Sequence, residues 1–168
     1  MIKVLSRRDA IELLSNASLQ EHVIGNESAA LISISCVKDE ADPLLNDYIG
    51  LDMSSEMMNL FESSTNKSFT KVLPLYFLDI MPREDEHRLD DYLMTEEQAN
   101  EIIQFIEETK DMPLVIHCTA GISRSGAVGA YASIVRDEEE AFWTEYEKYI
   151  HPNNHVLSLL KRHLFKGE

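Results

Sequence analysis

Leu114-Val115-Ile116-His117-Cys118-Thr119-Ala120-Gly121-Ile122-Ser123-Arg124-Ser125-Gly126-Ala127-Val128 is the stretch on which the fold turns. Its leading residues form an apolar run of strand character. From Gly126 to Val135 the small and apolar residues follow a helical pattern. The stretch therefore reads as strand, tight loop and helix. A cysteine ends the strand and an arginine starts the helix.

That placement carries chemistry. A thiol is a weak nucleophile until it loses its proton, and unpaired N–H groups at a helix start favour negative charge there. The same groups bind a phosphate or sulfate dianion. A loop this short can curl around one anion, and Gly121 permits the unusual dihedrals that curling needs. Arg124 can grip two anion oxygens at once. Ser125 has a hydroxyl placed to hydrogen-bond the sulfur. Cys118 would then lie beneath the anion, in line to attack phosphorus. The bland alternative is a buried, inert cysteine, which does not call for an arginine and two serines close by.

The stretch resembles the signature of the cysteine-dependent protein tyrosine and dual-specificity phosphatases, of microbial type: His-Cys, five residues, Arg, then Ser or Thr. The match runs through His117, Cys118, Ala120, Gly121, Ser123, Arg124 and Ser125. Cys-x5-Arg alone is a weak pattern. The apolar strand before it, the flanking His and Ser, and the internal Ala-Gly make it specific. The resemblance implies that Thr119, Ala120, Gly121, Ile122, Ser123 and Arg124 hold the substrate phosphate. It also implies that the His117 ring orders the loop and tunes Cys118, and that no metal or other cofactor takes part. The six histidines show no clustered ligand spacing, which points the same way.

The leaving oxygen needs a proton, so a general acid is required. In dual-specificity phosphatases the acid lies on a loop after the strand that precedes the long helix before the cysteine. Leu78-Asp79-Ile80 looks like that pattern, directly after an expected strand. Its separation from Cys118 is longer than the family pattern leads one to expect, and Asp85, nearer in sequence, is the alternative. Pro152-Asn153-Asn154 looks like a second family feature, in which Asn153 braces the phosphate loop. It is equally ordinary turn chemistry.

Ile2–Leu5 is expected as an edge strand, followed by a helix capped at Ser6 that runs to about Asn16. Ala29–Cys36 is apolar enough for a buried parallel strand. Val37–Asn46 reads as a loop, and Met53 to Phe61 as a helix capped by Ser54 or Ser55, its methionines filling core. Val72–Leu78 is the next strand, with Pro74 confining it to an edge or a bulge. Arg83–Asp91 is a charged, solvated loop. Thr95-Glu96-Glu97-Gln98 is a capping box opening a helix with a clean apolar stripe. Two further helices follow, over Glu138–Tyr149 and from Val156 onward. The expected fold class is α/β: a small, mostly parallel, twisted sheet flanked by helices on both faces, with the phosphate loop at a strand–helix junction.

A length of 168 residues and an apolar fraction of 44% suit a single phosphatase-like domain over residues 1–168. The net charge of −15 repels nucleic acid and anionic lipid. No apolar run approaches the roughly 20 residues of a membrane span, and the N-terminus lacks a signal-peptide core. The expectation is a soluble, cytoplasmic monomer that binds neither nucleic acid nor membrane. Of the two cysteines, Cys118 must stay a free thiolate to act, which suits a reducing compartment. Cys36 reads as a small core residue, with a disulfide to Cys118 as the open alternative.

The leading functional reading is a phosphomonoester hydrolase acting on phosphotyrosine, with or without phosphoserine and phosphothreonine. The loop carries no Lys or Arg between Thr119 and Ser123, whereas phosphoinositide-acting relatives tend to have basic residues there. A small phosphoester such as an inositol phosphate stays open as substrate. So does a non-catalytic module that captures phosphoproteins. Sulfur transfer is disfavoured by the full Cys-x5-Arg-Ser pattern.

Overall fold

Two strands, Ala29–Ser35 and Leu114–His117, are buried at every position. A strand with no polar face needs cover on both sides, and parallel strands joined by helices supply it. The computed structural model describes residues 1–36, 54–85 and 87–165. Its sheet has four strands: β1 (Ile2–Leu5), β2 (Ala29–Ser35), β3 (Phe69–Tyr76) and β4 (Leu114–His117). Their order is β1-β4-β2-β3, and every pairing is parallel. The two fully buried strands are the inner pair, and β1 and β3 are the edges.

The helices are α1 (Arg7–Leu14), α2 (Ala17–Ile24), α3 (Ser54–Phe61), α4 (Glu96–Glu108), α5 (Arg124–Val135), α6 (Glu139–Tyr146) and α7 (Asn154–Phe165). Alternation along the strands divides the core. Ile2, Val4, Ala30, Ile32, Ile34, Leu114 and Ile116 face α4 to α7. Ala29, Leu31 and Val115 face the opposite layer, with Ala10, Leu13 and Leu14 of α1, Ile24 of α2 and Met57 of α3. The fold class is therefore as expected from the sequence, with the sheet wholly rather than mostly parallel.

Several local expectations hold for local reasons. Ser6 caps α1 by accepting the Asp9 N–H, and Thr95 and Gln98 form the reciprocal capping box of α4. Pro74 lies on edge strand β3, where its missing N–H breaks no ladder on the outer side. Met57 is fully buried, as core filling requires.

Other expectations need correction. The first helix stops at Leu14, and Asn16 caps a separate helix, α2, by accepting the Leu19 N–H. Ser54 and Ser55 lie inside α3 rather than before it. Strand β3 runs over Phe69–Tyr76; the Phe77 N–H still donates to the Ser35 carbonyl at 3.1 Å, and the Leu78 N–H has turned to the Tyr92 carbonyl before the chain reaches Asp79. The expected loop at Val37–Asn46 falls outside the described residues, as does Glu86 of the charged run.

Long-range polar anchors hold the layers in place. Gln20 is fully buried; its amide N–H₂ donates to Leu13, Leu14 and Thr65 carbonyls, and its oxygen accepts the Lys67 and Ser68 N–H groups. The Tyr146 hydroxyl accepts the Val4 N–H at 3.0 Å, covering the outer edge of β1. Burial pushes that hydroxyl up to about 12. Gly129 lets α5 approach β1 and α6 closely, since a Cβ there would lie 2.8 Å from Val4 Cγ2 and 3.0 Å from the Phe142 ring.

Candidate active site

The carboxyl ends of parallel strands are where such sheets open onto ligand sites. Strand β4 delivers Cys118 there, and α5 begins at Arg124. Cys118 is 2% exposed and Ser125 is fully buried, with Sγ and Oγ 3.0 Å apart. Arg124 is buried too, whereas Thr119, Ala120 and Ile122 are exposed. The sulfur thus lies at the floor and the loop forms the rim.

The loop is shaped by what holds its carbonyls. The Cys118 carbonyl accepts from His117 Nδ1 at 3.2 Å, and that of Thr119 accepts the Arg7 N–H at 3.0 Å. Those of Ile122 and Ser123 accept the His151 and Asn153 N–H groups at 3.1 and 3.0 Å. A trans peptide sets each C=O antiparallel to the following N–H. The amides of Thr119, Ala120, Ser123 and Arg124 therefore point away from these braces.

His117 is fully buried, and its Nε2 is 2.6 Å from Ser33 Oγ on β2. A carbonyl can only accept, so Nδ1 carries a proton. In the neutral ring Nε2 then accepts the Ser33 hydroxyl. Gly121 has φ +71°, and a Cβ there would stand 2.5 Å from the Ser6 nitrogen. The loop lies directly on the backbone of the β1–α1 corner.

Arg124 reaches across the loop. Nη2 donates to Thr119 Oγ1 at 2.8 Å, and Nη1 donates to the Phe77 carbonyl at 2.8 Å. Nη1 also lies 3.5 Å from Cys36 Sγ. Cys36 is therefore more than a core residue: the end of β2 sets its thiol against the guanidinium, and Thr119 Oγ1 is 3.9 Å away. Cys36 and Cys118 are both thiols.

Asp79 and Asn153 meet at the same rim. Asp79 Oδ1 accepts from Ser123 Oγ and from Asn153 Nδ2, each at 2.8 Å. Asn153 is buried, and its own Oδ1 caps α7 by accepting the Val156 N–H at 3.1 Å. Asp85 lies elsewhere on the exposed charged loop, paired with Arg83 at 3.2 Å. Ser123 occupies the N-cap position of α5 but makes no side-chain cap bond, because its hydroxyl is turned to Asp79. The first turn of α5 thus starts without a side-chain cap, and its amides are left for another acceptor.

The structure brings together every site residue expected from the sequence except Asp85. It adds Ser33, Cys36, Arg7 and the Phe77 carbonyl as supports. Only the position of Cys36 at a strand's carboxyl end could have marked it beforehand. Among the described residues no group of three or more His, Cys, Asp or Glu is placed to hold a metal ion. Likewise, no described helix is long and apolar enough to cross a membrane.

No family model matches the chain, and no curated protein matches its sequence. Its structure resembles that of human DUSP28, with 12% identity over 96% of this chain and 90% of that chain, at a TM-score of 0.51. The human tyrosine phosphatase-like serine/threonine/tyrosine-interacting protein aligns over 89% and 85% of the two chains, with 15% identity and a TM-score of 0.49. Cydia pomonella PTP-2 phosphatase aligns over 92% and 79%, with 15% identity and a TM-score of 0.46. The fold assignment rests on the first of these: the chain has the fold of the cysteine-dependent phosphatases.

Proposed function

We propose that this chain is a metal-independent phosphomonoester hydrolase, of the protein-tyrosine or dual-specificity kind, that works through a phosphocysteine. The observation that carries the reading is the buried Cys118 sulfur, 3.0 Å from Ser125 Oγ, beneath a loop whose carbonyls are braced outward and whose two ends Arg124 and Thr119 join. In the first step the Cys118 thiolate attacks phosphorus. Loop amides and Arg124 stabilise the charge on the equatorial oxygens. Asp79 protonates the leaving oxygen as the P–O bond breaks. In the second step Asp79 takes a proton from water, which attacks the phosphocysteine, and Ser125 stabilises the departing thiolate.

The absence of Lys and Arg between Thr119 and Ser123 favours phosphotyrosine over phosphoinositide headgroups. The exposed apolar Ile122 on the rim suits an aromatic leaving group in the same way. Hydrolysis of para-nitrophenyl phosphate is expected to survive EDTA and to stop on alkylation of Cys118 by iodoacetate, with the modified residue located by mass spectrometry. Activity that needs an added divalent metal, or that persists after full alkylation of Cys118, would overturn the reading.

The contact between Asp79 and the loop favours it over Asp85 as the acid. On phenyl phosphate, whose leaving phenoxide needs a proton, Asp79→Asn is expected to lower kcat about 100-fold or more, the range of a lost general acid. Asp85→Asn should leave the rate on the same substrate unchanged.

A further inference from the structure

We propose that Ser123 and Asn153 are positioning residues for the general acid, fixing which oxygen of Asp79 carries the transferred proton. The inference rests on the hydrolase reading above and extends it. Asn153 Oδ1 accepts the Val156 N–H, and an amide oxygen cannot donate, so the orientation of the amide is set. Its Nδ2 therefore faces Asp79 and can only donate. One hydrogen goes to Asp79 Oδ1 at 2.8 Å and the other to the Ile80 carbonyl at 3.1 Å. Ser123 Oγ donates to the same Oδ1 at 2.8 Å. An oxygen that accepts two hydrogen bonds is the poor place for the acidic proton. Oδ2 takes neither bond, so it is the oxygen that holds the proton.

When the P–O bond to the leaving group breaks, its electron pair stays on the leaving oxygen. The proton moves from Asp79 Oδ2 to that oxygen, and the carboxylate left behind keeps both bonds on Oδ1. These donors stabilise the charge that develops there, and they are in place before it forms.

Asn153 also ties the two halves of the site together. Its backbone N–H donates to the Ser123 carbonyl at 3.0 Å, while its side chain holds Asp79 and Ile80. Two residues later, the His155 N–H reaches Met81 Sδ at 3.3 Å. The segment carrying the acid and the phosphate loop are thus referenced to one rigid point, the start of α7. A displaced acid costs rate steeply because proton transfer needs hydrogen-bond reach.

The test is the dependence of kcat on the leaving group, which a merely structural role would not move. Ser123→Ala removes one donor. Asn153→Ser keeps a capping oxygen for α7 but withdraws the amide from Asp79. Each variant is expected to lose about tenfold in kcat on phenyl phosphate, whose phenoxide needs protonation, and under about threefold on para-nitrophenyl phosphate, whose leaving group does not. In an Asp79→Asn background the additional discrimination should vanish. Equal losses on both substrates in Ser123→Ala and Asn153→Ser, alongside discrimination in Asp79→Asn, would overturn the positioning role and spare the acid. No discrimination in Asp79→Asn itself would overturn the acid. Should Asn153→Ser fail to fold, Ser123→Ala decides the question alone.

Discussion

Cys118→Ser is expected to abolish turnover of aryl phosphates by at least about 10⁴-fold while leaving anion binding intact. Serine replaces sulfur with a smaller oxygen in a site that already holds a hydroxyl 3.0 Å away on Ser125. The fold has no reason to change. The nucleophile does change, because an alcohol oxygen is a far weaker nucleophile than sulfur. Among the described residues no base is hydrogen-bonded to it: His117 is engaged by Ser33 and the Cys118 carbonyl. The loop amides and Arg124 remain, so inorganic phosphate or tungstate should bind the variant with wild-type affinity by calorimetry. Turnover within tenfold of wild type would show that the sulfur does no bond-making. Loss of anion binding together with turnover would show that the substitution had collapsed the loop.

Gly121→Ala is expected to cost about 2–5 kcal/mol of folding stability, a large share of the 5–15 kcal/mol typical of a domain. Two effects add. The residue has φ +71°, a region that alanine enters only with strain. Its new methyl would also meet backbone, at 2.5 Å from the Ser6 nitrogen, 2.6 Å from the Leu5 carbonyl carbon and 2.8 Å from its oxygen. A side chain could rotate aside; the β1–α1 corner cannot, because the Arg7 N–H holds the Thr119 carbonyl and Ser6 caps α1. The relief available is to lift the loop off the corner, which would also spread the amides around the anion's seat. Activity should therefore fall with stability. Gly25→Ala is the control: φ is +79° and ψ −151°, but nothing lies within 4 Å of the added Cβ, so only the dihedral cost of about 1–3 kcal/mol remains. Urea unfolding of both variants measures the difference. Equal midpoints would show that the loop does not rest on the corner.

Features written over a few neighbouring residues were legible before the structure. Thr95 and Gln98 make a cap because they are three apart on one turn, whatever surrounds them. Ala29–Ser35 and Leu114–His117 read as inner strands because each is a nearly continuous apolar run of strand length. Pro74 marks an edge because it has no N–H to donate. Helix α2 was missed because its apolar residues follow a weaker pattern, and Gln20, which anchors it, is a polar residue buried by partners as distant as Lys67 and Ser68. The end of β3 was misplaced by two residues because Phe77 and Leu78 are as apolar as the strand before them. Both are buried, but Leu78 has its N–H on the Tyr92 carbonyl rather than on β2.

By itself the sequence determined the parallel α/β architecture and the chemistry of the loop, since a cysteine, an arginine and their serines are set by covalent spacing at one strand–helix junction. Only the tertiary structure decided which carboxylate lies against that loop and what supports it. Ser123 meets Asp79 across 44 residues, Asn153 meets it across 74, and Cys36 meets Arg124 across 88. Contacts at such separations leave no periodicity in the chain, because they exist only once the sheet order β1-β4-β2-β3 has brought distant strand ends to one rim.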